Sequence, residues 1–174
     1  MNDPALTGSH NYFEDFTPGL AIRHSRGKTV ENLENVFITN LVMNTADGHF
    51  NEHLMKQTPF GTRIVFGGAT ASIVIGLAAQ DTAENAIAEL SLTGLRLKHP
   101  VVHGDTLYAY SEVLDRQDSD RKDAGIVRFR HVGFNQDDKV VFEAERRVLV
   151  RRRPASGVIP EKWIPAFGNA RAQD

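Results

Sequence analysis

Between Ala69 and Ala79 the chain is apolar on every side, with no polar stripe of the kind that marks a surface helix. The pattern predicts a helix running through the middle of the fold, with everything else wrapped around it. Downstream the periodicity switches from helical to alternating. Thr106 to Leu114, Gly125 to Phe134 and Val140 to Val150 read as long antiparallel strands, separated by polar turns at Asp115 to Ala124 and Asn135 to Lys139. In the last strand Val140, Phe142, Ala144, Val148 and Val150 share one parity, interrupted only by Arg146. Ala88 to Lys98 changes parity midway: Leu90 and Leu92 are even, Leu95 and Leu97 odd, with Gly94 between them. One extra residue must be absorbed there, which predicts a β-bulge at Gly94. Pro100 to Gly104 makes the next turn.

Upstream, Leu20 and Ile22 alternate with polar neighbours, so Leu20 to Val30 is predicted to be a first strand with one buried face. Glu31 to Met43 sets Leu33, Val36, Phe37, Leu41 and Val42 at helical spacings, with Glu31 or Asn32 at its start. Asn51 to Gln57 suits one or two helical turns, stopped at Thr58-Pro59 because the residue before a proline avoids helical geometry. Asp81-Thr82-Ala83-Glu84 has the pattern of a capping box for a short turn after the central helix. Together these elements predict one α+β domain over residues 20–153, its antiparallel sheet packed on one long helix. Residues 1–19 read as an irregular arm whose Tyr12, Phe13 and Phe16 dock on that domain. Residues 154–174, with Pro160, Trp163 and Pro165, read as a tail lying across the domain or a partner chain.

Composition narrows the partners. The 174 residues are 41% hydrophobic and 24% charged, the balance of a soluble globular protein of one domain. A net charge of −2 lacks the concentrated basic surface that phosphate neutralisation requires, so a small molecule or a protein is expected rather than nucleic acid. The absence of cysteine excludes a disulfide framework and thiolate metal sites. No basic stretch followed by an apolar run opens the chain, and the central apolar segment is too short to span a membrane, so a cytoplasmic address is expected.

Candidate chemistry gathers just before the central helix. Asn44-Thr45-Ala46-Asp47-Gly48-His49 supplies a base and a carboxylate, and Gly67-Gly68 opens a helix whose first N–H groups and positive end point back towards them. His49 and His53 have the four-residue spacing of two metal ligands, but no third ligand is evident and no metal is assigned. His24, His99, His103 and His131 read as surface or internally satisfied residues. Arg146-Arg147 and Arg151-Arg152-Arg153 either meet the phosphates of an anionic cofactor or form a solvated strand end, and the solvated reading is favoured because alternation sends neighbouring arginines to opposite faces. Phe60 and Phe66 either line an acyl pocket or plug the core.

The stretch Asn44 to Gly67 resembles the hydratase motif of the MaoC-like dehydratases, the (R)-specific enoyl-CoA hydratases with the hot-dog fold. That motif runs Asp-x-Asn-Pro-x-His, a helical turn, Phe-Gly, then Ile-x-His-Gly. Its histidine falls on His49, its Phe-Gly on Phe60-Gly61, and its closing glycine on Gly67 without a gap. Tyr12-Phe13-Glu14-Asp15-Phe16, the turn His103-Gly104-Asp105-Thr106-Leu107 and Asn135-Gln136-Asp137 extend the likeness over residues 12–153. The resemblance implies a long helix wrapped by a curved antiparallel sheet, working as a homodimer or an assembly of dimers. It also implies reversible water addition to a 2-enoyl-CoA thioester, without cofactor, metal, nucleic acid or membrane. The Asp-His pair would handle water and protons, while the Gly67 N–H, beside that of Gly68, would bind the thioester oxygen.

Four positions depart from the motif. Asn44 replaces its aspartate, Ala46-Asp47 its Asn-Pro, and Phe66 its second histidine. An amide cannot accept a proton as a carboxylate does. Three versions therefore stand open: His49 acts with Asn44 as water holder, Asp47 supplies a displaced carboxylate, or the hydratase chemistry is lost. The first two together are the expectation, and the altered motif suggests a branched or carboxylated acyl group, as in mesaconyl-CoA hydratases. A hot-dog thioesterase and a catalytically silent acyl-thioester-binding protein are the alternatives.

Overall fold

The strands expected from alternation form one antiparallel sheet in the computed structural model, which describes residues 11–154. Its strands are β1 (Ala21–Arg23), β2 (Lys28–Thr29), β3 (Ala86–Leu97), β4 (Thr106–Asp118), β5 (Ala124–Phe134) and β6 (Val140–Arg151). The order across the sheet is β1-β4-β5-β6-β3, and β2 also pairs with β4. The helices are α1 (Asn32–Leu41), α2 (Asp47–Phe50), α3 (Glu52–Met55) and the long α4 (Gly67–Thr82).

Alternation puts Leu107, Ala109 and Val113 of β4, Val127 and Phe129 of β5, and Phe142, Ala144, Val148 and Val150 of β6 on one buried face. Against that face α4 lays Ala71, Val74 and Ala78, with Val74 and Ala78 wholly buried. Helix and sheet meet closely at Gly133, where an added Cβ would lie 2.4 Å from the Val74 side chain. The helix is not buried all round, as its sequence predicted: Ser72 and Gly76 on its far side are exposed.

A bulge occurs at Gly94, as expected. Pairing of β3 with β6 slips between Thr93 and Arg96, and Gly94 takes a φ of +60°, a conformation that costs a side chain but not a glycine. Two further slips, between Ala86 and Ala88 and between Glu89 and Ser91, were not signalled by the leucine parity.

Other expectations need correction. Leu20 to Val30 is two short strands rather than one, both paired with β4, and His24 after the first of them is buried against Asp81. Helix α1 forms, with Glu31 and Glu34 in a reciprocal capping box, but it buries its polar side: Asn35 and Thr39 are fully enclosed while Leu33, Phe37 and Leu41 are 76%, 68% and 70% exposed. Asp81 and Thr82 do not cap a following turn. They are the last residues of α4, and both are buried.

Asp81 enters a polar row that crosses the inner face of the sheet. Its carboxylate accepts from His24 Nδ1 at 2.6 Å, His24 Nε2 meets Ser111 Oγ at 2.7 Å, and Ser111 Oγ meets His131 Nδ1 at 2.7 Å. Arg146 continues the row. Its guanidinium is buried, pairs with Glu89 at 2.8 Å and donates to Thr82 Oγ1, which corrects the favoured solvated reading, whereas Arg147 points outward. The row separates a cluster around α4 from a second one built on Phe13, Phe16, Val113, Val127 and Phe129.

Part of the arm docks as predicted. Phe13 and Phe16 are buried, with Phe16 edge-on to Phe129 at 5.0 Å and the Arg152 guanidinium 4.4 Å over the Phe13 ring. Arg152 also pairs with Asp118, and Arg153 with Asp15, so these two arginines close over the arm. Residues 1–10 of the arm, and Pro160, Trp163 and Pro165 of the tail, lie outside the described residues. Among the described residues no helix is long and apolar enough to cross a membrane.

Candidate active site

His49 sits in a helical turn of its own. In α2 the His49 N–H bonds the Ala46 carbonyl at 2.9 Å, and the Gly48 carbonyl accepts from Ile64 N–H at 3.0 Å. That second bond ties the turn to the segment leading into α4, which is itself anchored on the chain before β4 through Val65 N–H to the Val101 carbonyl at 2.8 Å. Arg63 braces the same segment from outside, bonding Glu52 at 3.1 Å and Asn32 at 2.6 Å, and its hydrogen bonds hold the Glu52 carboxyl below the usual range.

The half-buried His49 ring has one nitrogen fixed. Its Nδ1 lies 3.0 Å from the Ile64 carbonyl oxygen, which can only accept, so Nδ1 carries the proton. In the neutral imidazole the lone pair is then on Nε2. The ring also packs edge-on against Phe66 at 5.7 Å, where the resembling motif has a second histidine.

Phe66 is the N-cap of α4 and has no polar side chain with which to cap it. Its N–H is taken by Asn35 Oδ1 at 2.9 Å, and Asn35 Nδ2 donates to the His49 carbonyl at 3.1 Å. Among the described residues neither the Gly67 nor the Gly68 N–H meets a protein acceptor. These are the open donors at the positive end of a 16-residue helix. His49, Phe66, Gly67 and Gly68 line one cavity of about 410 Å³, closed on its far side by the Leu97–Val101 segment. A base and oxyanion-type donors therefore share a space of the size that small-molecule sites occupy.

Three predicted residues lie outside that lining. Asn44 is half-buried, its side-chain oxygen accepting the Ala46 N–H at 3.3 Å. Asp47 is exposed at the first position of α2, with Asn51 Nδ2 3.4 Å from its carboxylate. Phe60 is on the surface. His49 and His53 fall on separate turns, and no group of three or more potential ligands that could hold a metal occurs among the described residues.

Sequence reasoning missed Lys98, His99, Asn35 and His103. Lys98 and His99 line the cavity, which has no carboxylate in its wall. Asn35 was hidden inside an apolar-spaced helix. His103 stands behind the same segment with its Nε2 buried and unpartnered, and burial, reinforced by the Arg63 charge, pushes its pKa down. A larger cavity of about 510 Å³ lies on the outer sheet face beside Arg23, Tyr110 and Phe134, but it joins no base to a helix start.

Residues 5–152 match the family model described as mesaconyl-CoA hydratase. The chain is 34% identical over 165 residues to the β-methylmalyl-CoA dehydratase of Chloroflexus aurantiacus, covering 86% of this chain and 47% of that protein. A solved MaoC domain protein dehydratase from the same organism superposes with a TM-score of 0.79 at 32% identity, over 84% of this chain and 46% of that one. A Mycobacterium tuberculosis protein with a double hot-dog fold superposes with a TM-score of 0.75 at 21% identity, over 95% of this chain and 53% of the other, a likeness of fold alone. The chain thus spans about half the length of the curated relatives it matches.

Proposed function

Because this chain belongs to the mesaconyl-CoA hydratase family of MaoC-like hot-dog proteins, we propose that its cavity hydrates and dehydrates a CoA thioester. The observation that carries this reading is the pairing, across one space, of a His49 ring with Nδ1 anchored and the open N–H groups of Gly67 and Gly68. In the hydration direction His49 Nε2 takes a proton from water as its oxygen attacks the β-carbon of the enoyl group. The π electrons move towards the thioester carbonyl, where negative charge develops on oxygen. The Gly67 N–H meets that charge, a contribution of about 3 kcal/mol by comparison with measured oxyanion donors. The His49 imidazolium then returns its proton to the α-carbon, which completes the addition of water and restores the neutral ring. Asn44 and Asp47 lie outside the cavity wall, so this reading puts the base role on His49.

A branched, carboxylated 2-enoyl group such as mesaconyl is the proposed substrate. Lys98 and His99 support it, since they put two nitrogen bases in a wall without carboxylates, and Lys98 is held only by a loose 3.4 Å pair with Glu143. Such a substrate fits a cytoplasmic address. A homodimer, or an assembly of dimers, is the proposed form of the protein.

A turnover screen tests the reading. Purified chain is expected to bleach the enoyl-thioester absorbance of mesaconyl-CoA or a related branched 2-enoyl-CoA without releasing free CoA thiol. Thiol release would instead make it a thioesterase, and stabilisation by a thioester without turnover would make it a binding protein.

A further inference from the structure

Asn35 is a fully buried polar residue on a helix whose Leu33, Phe37 and Leu41 face out. A buried amide costs free energy unless its groups are bonded, and a leucine would serve a core better. Both side-chain groups of Asn35 are bonded, each to a different half of the site. Nδ2 donates to the His49 carbonyl at 3.1 Å, and Oδ1 accepts the Phe66 N–H at 2.9 Å. Its own carbonyl accepts the Thr39 hydroxyl at 2.7 Å, which steadies that turn of α1.

The consequences differ at the two ends. At His49 the amide fixes the backbone while the Ile64 carbonyl fixes the ring, so the imidazole is held at two points. At α4 the amide does what the N3 side chain of a capping box ordinarily does, from another helix: it takes the N–H of the N-cap residue, Phe66. Binding the Phe66 N–H holds that residue at ψ 128°, and the next peptide plane carries the Gly67 N–H. Direction of the oxyanion donor and placement of the base thus depend on one side chain.

We propose that Asn35 is a positioning residue for the hydration reaction, its amide setting the separation and alignment of the His49 ring and the Gly67 N–H. This rests on the hydratase reading given above. Misplacement of reacting groups by about 1 Å costs on the order of 100-fold in rate.

The experiment compares wild type with Asn35→Leu and Asn35→Asp, each verified as folded by circular dichroism and assayed well below its melting temperature. Asn35→Leu keeps the volume and loses both hydrogen bonds. It is expected to lower kcat by roughly 10- to 100-fold with KM nearly unchanged, because the interaction lost is one of alignment. Exchange of the Phe66 amide proton should become much faster, and nitrogen NMR should show the His49 ring no longer held as the Nδ1–H tautomer.

Asn35→Asp keeps the acceptor for Phe66 N–H and loses the donor to the His49 carbonyl. Phe66 exchange should stay slow, and the variant-to-wild-type kcat ratio should rise as pH falls, since a protonated carboxyl regains a donor. A folded Asn35→Leu chain with wild-type kcat overturns the proposal, even if its melting temperature drops, because the role is then structural only. Wild-type exchange at Phe66 and an unchanged His49 tautomer in that variant overturn it too. Those two readouts need no turnover, so they decide the placement of Asn35 even if wild type hydrates nothing and the hydratase reading itself fails.

Discussion

His131 shows what the interior demands of a single titratable residue. Burial, with the nearby charges of Arg146 and His24, pushes its pKa from 6.5 down to about 3. The folded chain therefore refuses a proton that the unfolded chain accepts, so stability is complete above pH 6.5 and is lost as pH falls towards 3. The loss should approach about 1.4 kcal/mol per pH unit in that window. Urea melts across it should show a shallower decline for His131→Gln than for wild type; equal slopes would mean that His131 is protonated in the folded chain. The same scale shows what a sequence reveals about a site. His49 and Gly67 were legible because the motif carrying them is local and gap-free. Asn35 was not, since its partners lie 14 and 31 residues away and its neighbours have helical apolar spacing. Asp81 was misread for the same reason: its local pattern suits a cap, while its real partner, His24, is 57 residues distant.

Elements assembled from local patterns came out well where one face is buried by the chain itself. Alternation located β4, β5 and β6, and the parity change located the bulge at Gly94, because each is a property of neighbouring residues against one sheet face. Helix α1 forms where the apolar spacing predicts a helix, but Leu33, Phe37 and Leu41 of that spacing are exposed and the chain buries Asn35 and Thr39. Contact between α4 and the sheet yields a prediction at this scale. In Gly133→Ala the new methyl would lie 2.4 Å from Val74, inside the helix–sheet contact, so the Val74 side chain must shift and strain α4. The expected cost is about 1–3 kcal/mol of stability in a denaturant melt, as for other overpacked cores. Because α4 carries Gly67, kcat should fall with it; a variant as stable and as active as wild type would show that the helix does not set the site.

At the scale of the whole molecule, one edge stands open. Among the described residues β3 pairs only with β6, and its leucines Leu90, Leu92, Leu95 and Leu97 are all between 43% and 53% exposed. A long apolar edge of this kind invites pairing with another chain. Sedimentation should find twice the mass of one chain for wild type and a single-chain mass for Leu92→Lys combined with Leu95→Lys; a monomeric wild type would contradict the proposed dimer. What the assembly is for turns on the cavity between His49 and Gly67. The most direct measurement supplies mesaconyl-CoA in water enriched in heavy oxygen and locates the label by mass spectrometry. The account predicts label in a hydroxyl on the β-carbon of an intact thioester, and none when His49→Ala replaces wild type. Label in a released carboxylate, or undiminished labelling of the β-carbon by the His49→Ala chain, would contradict it.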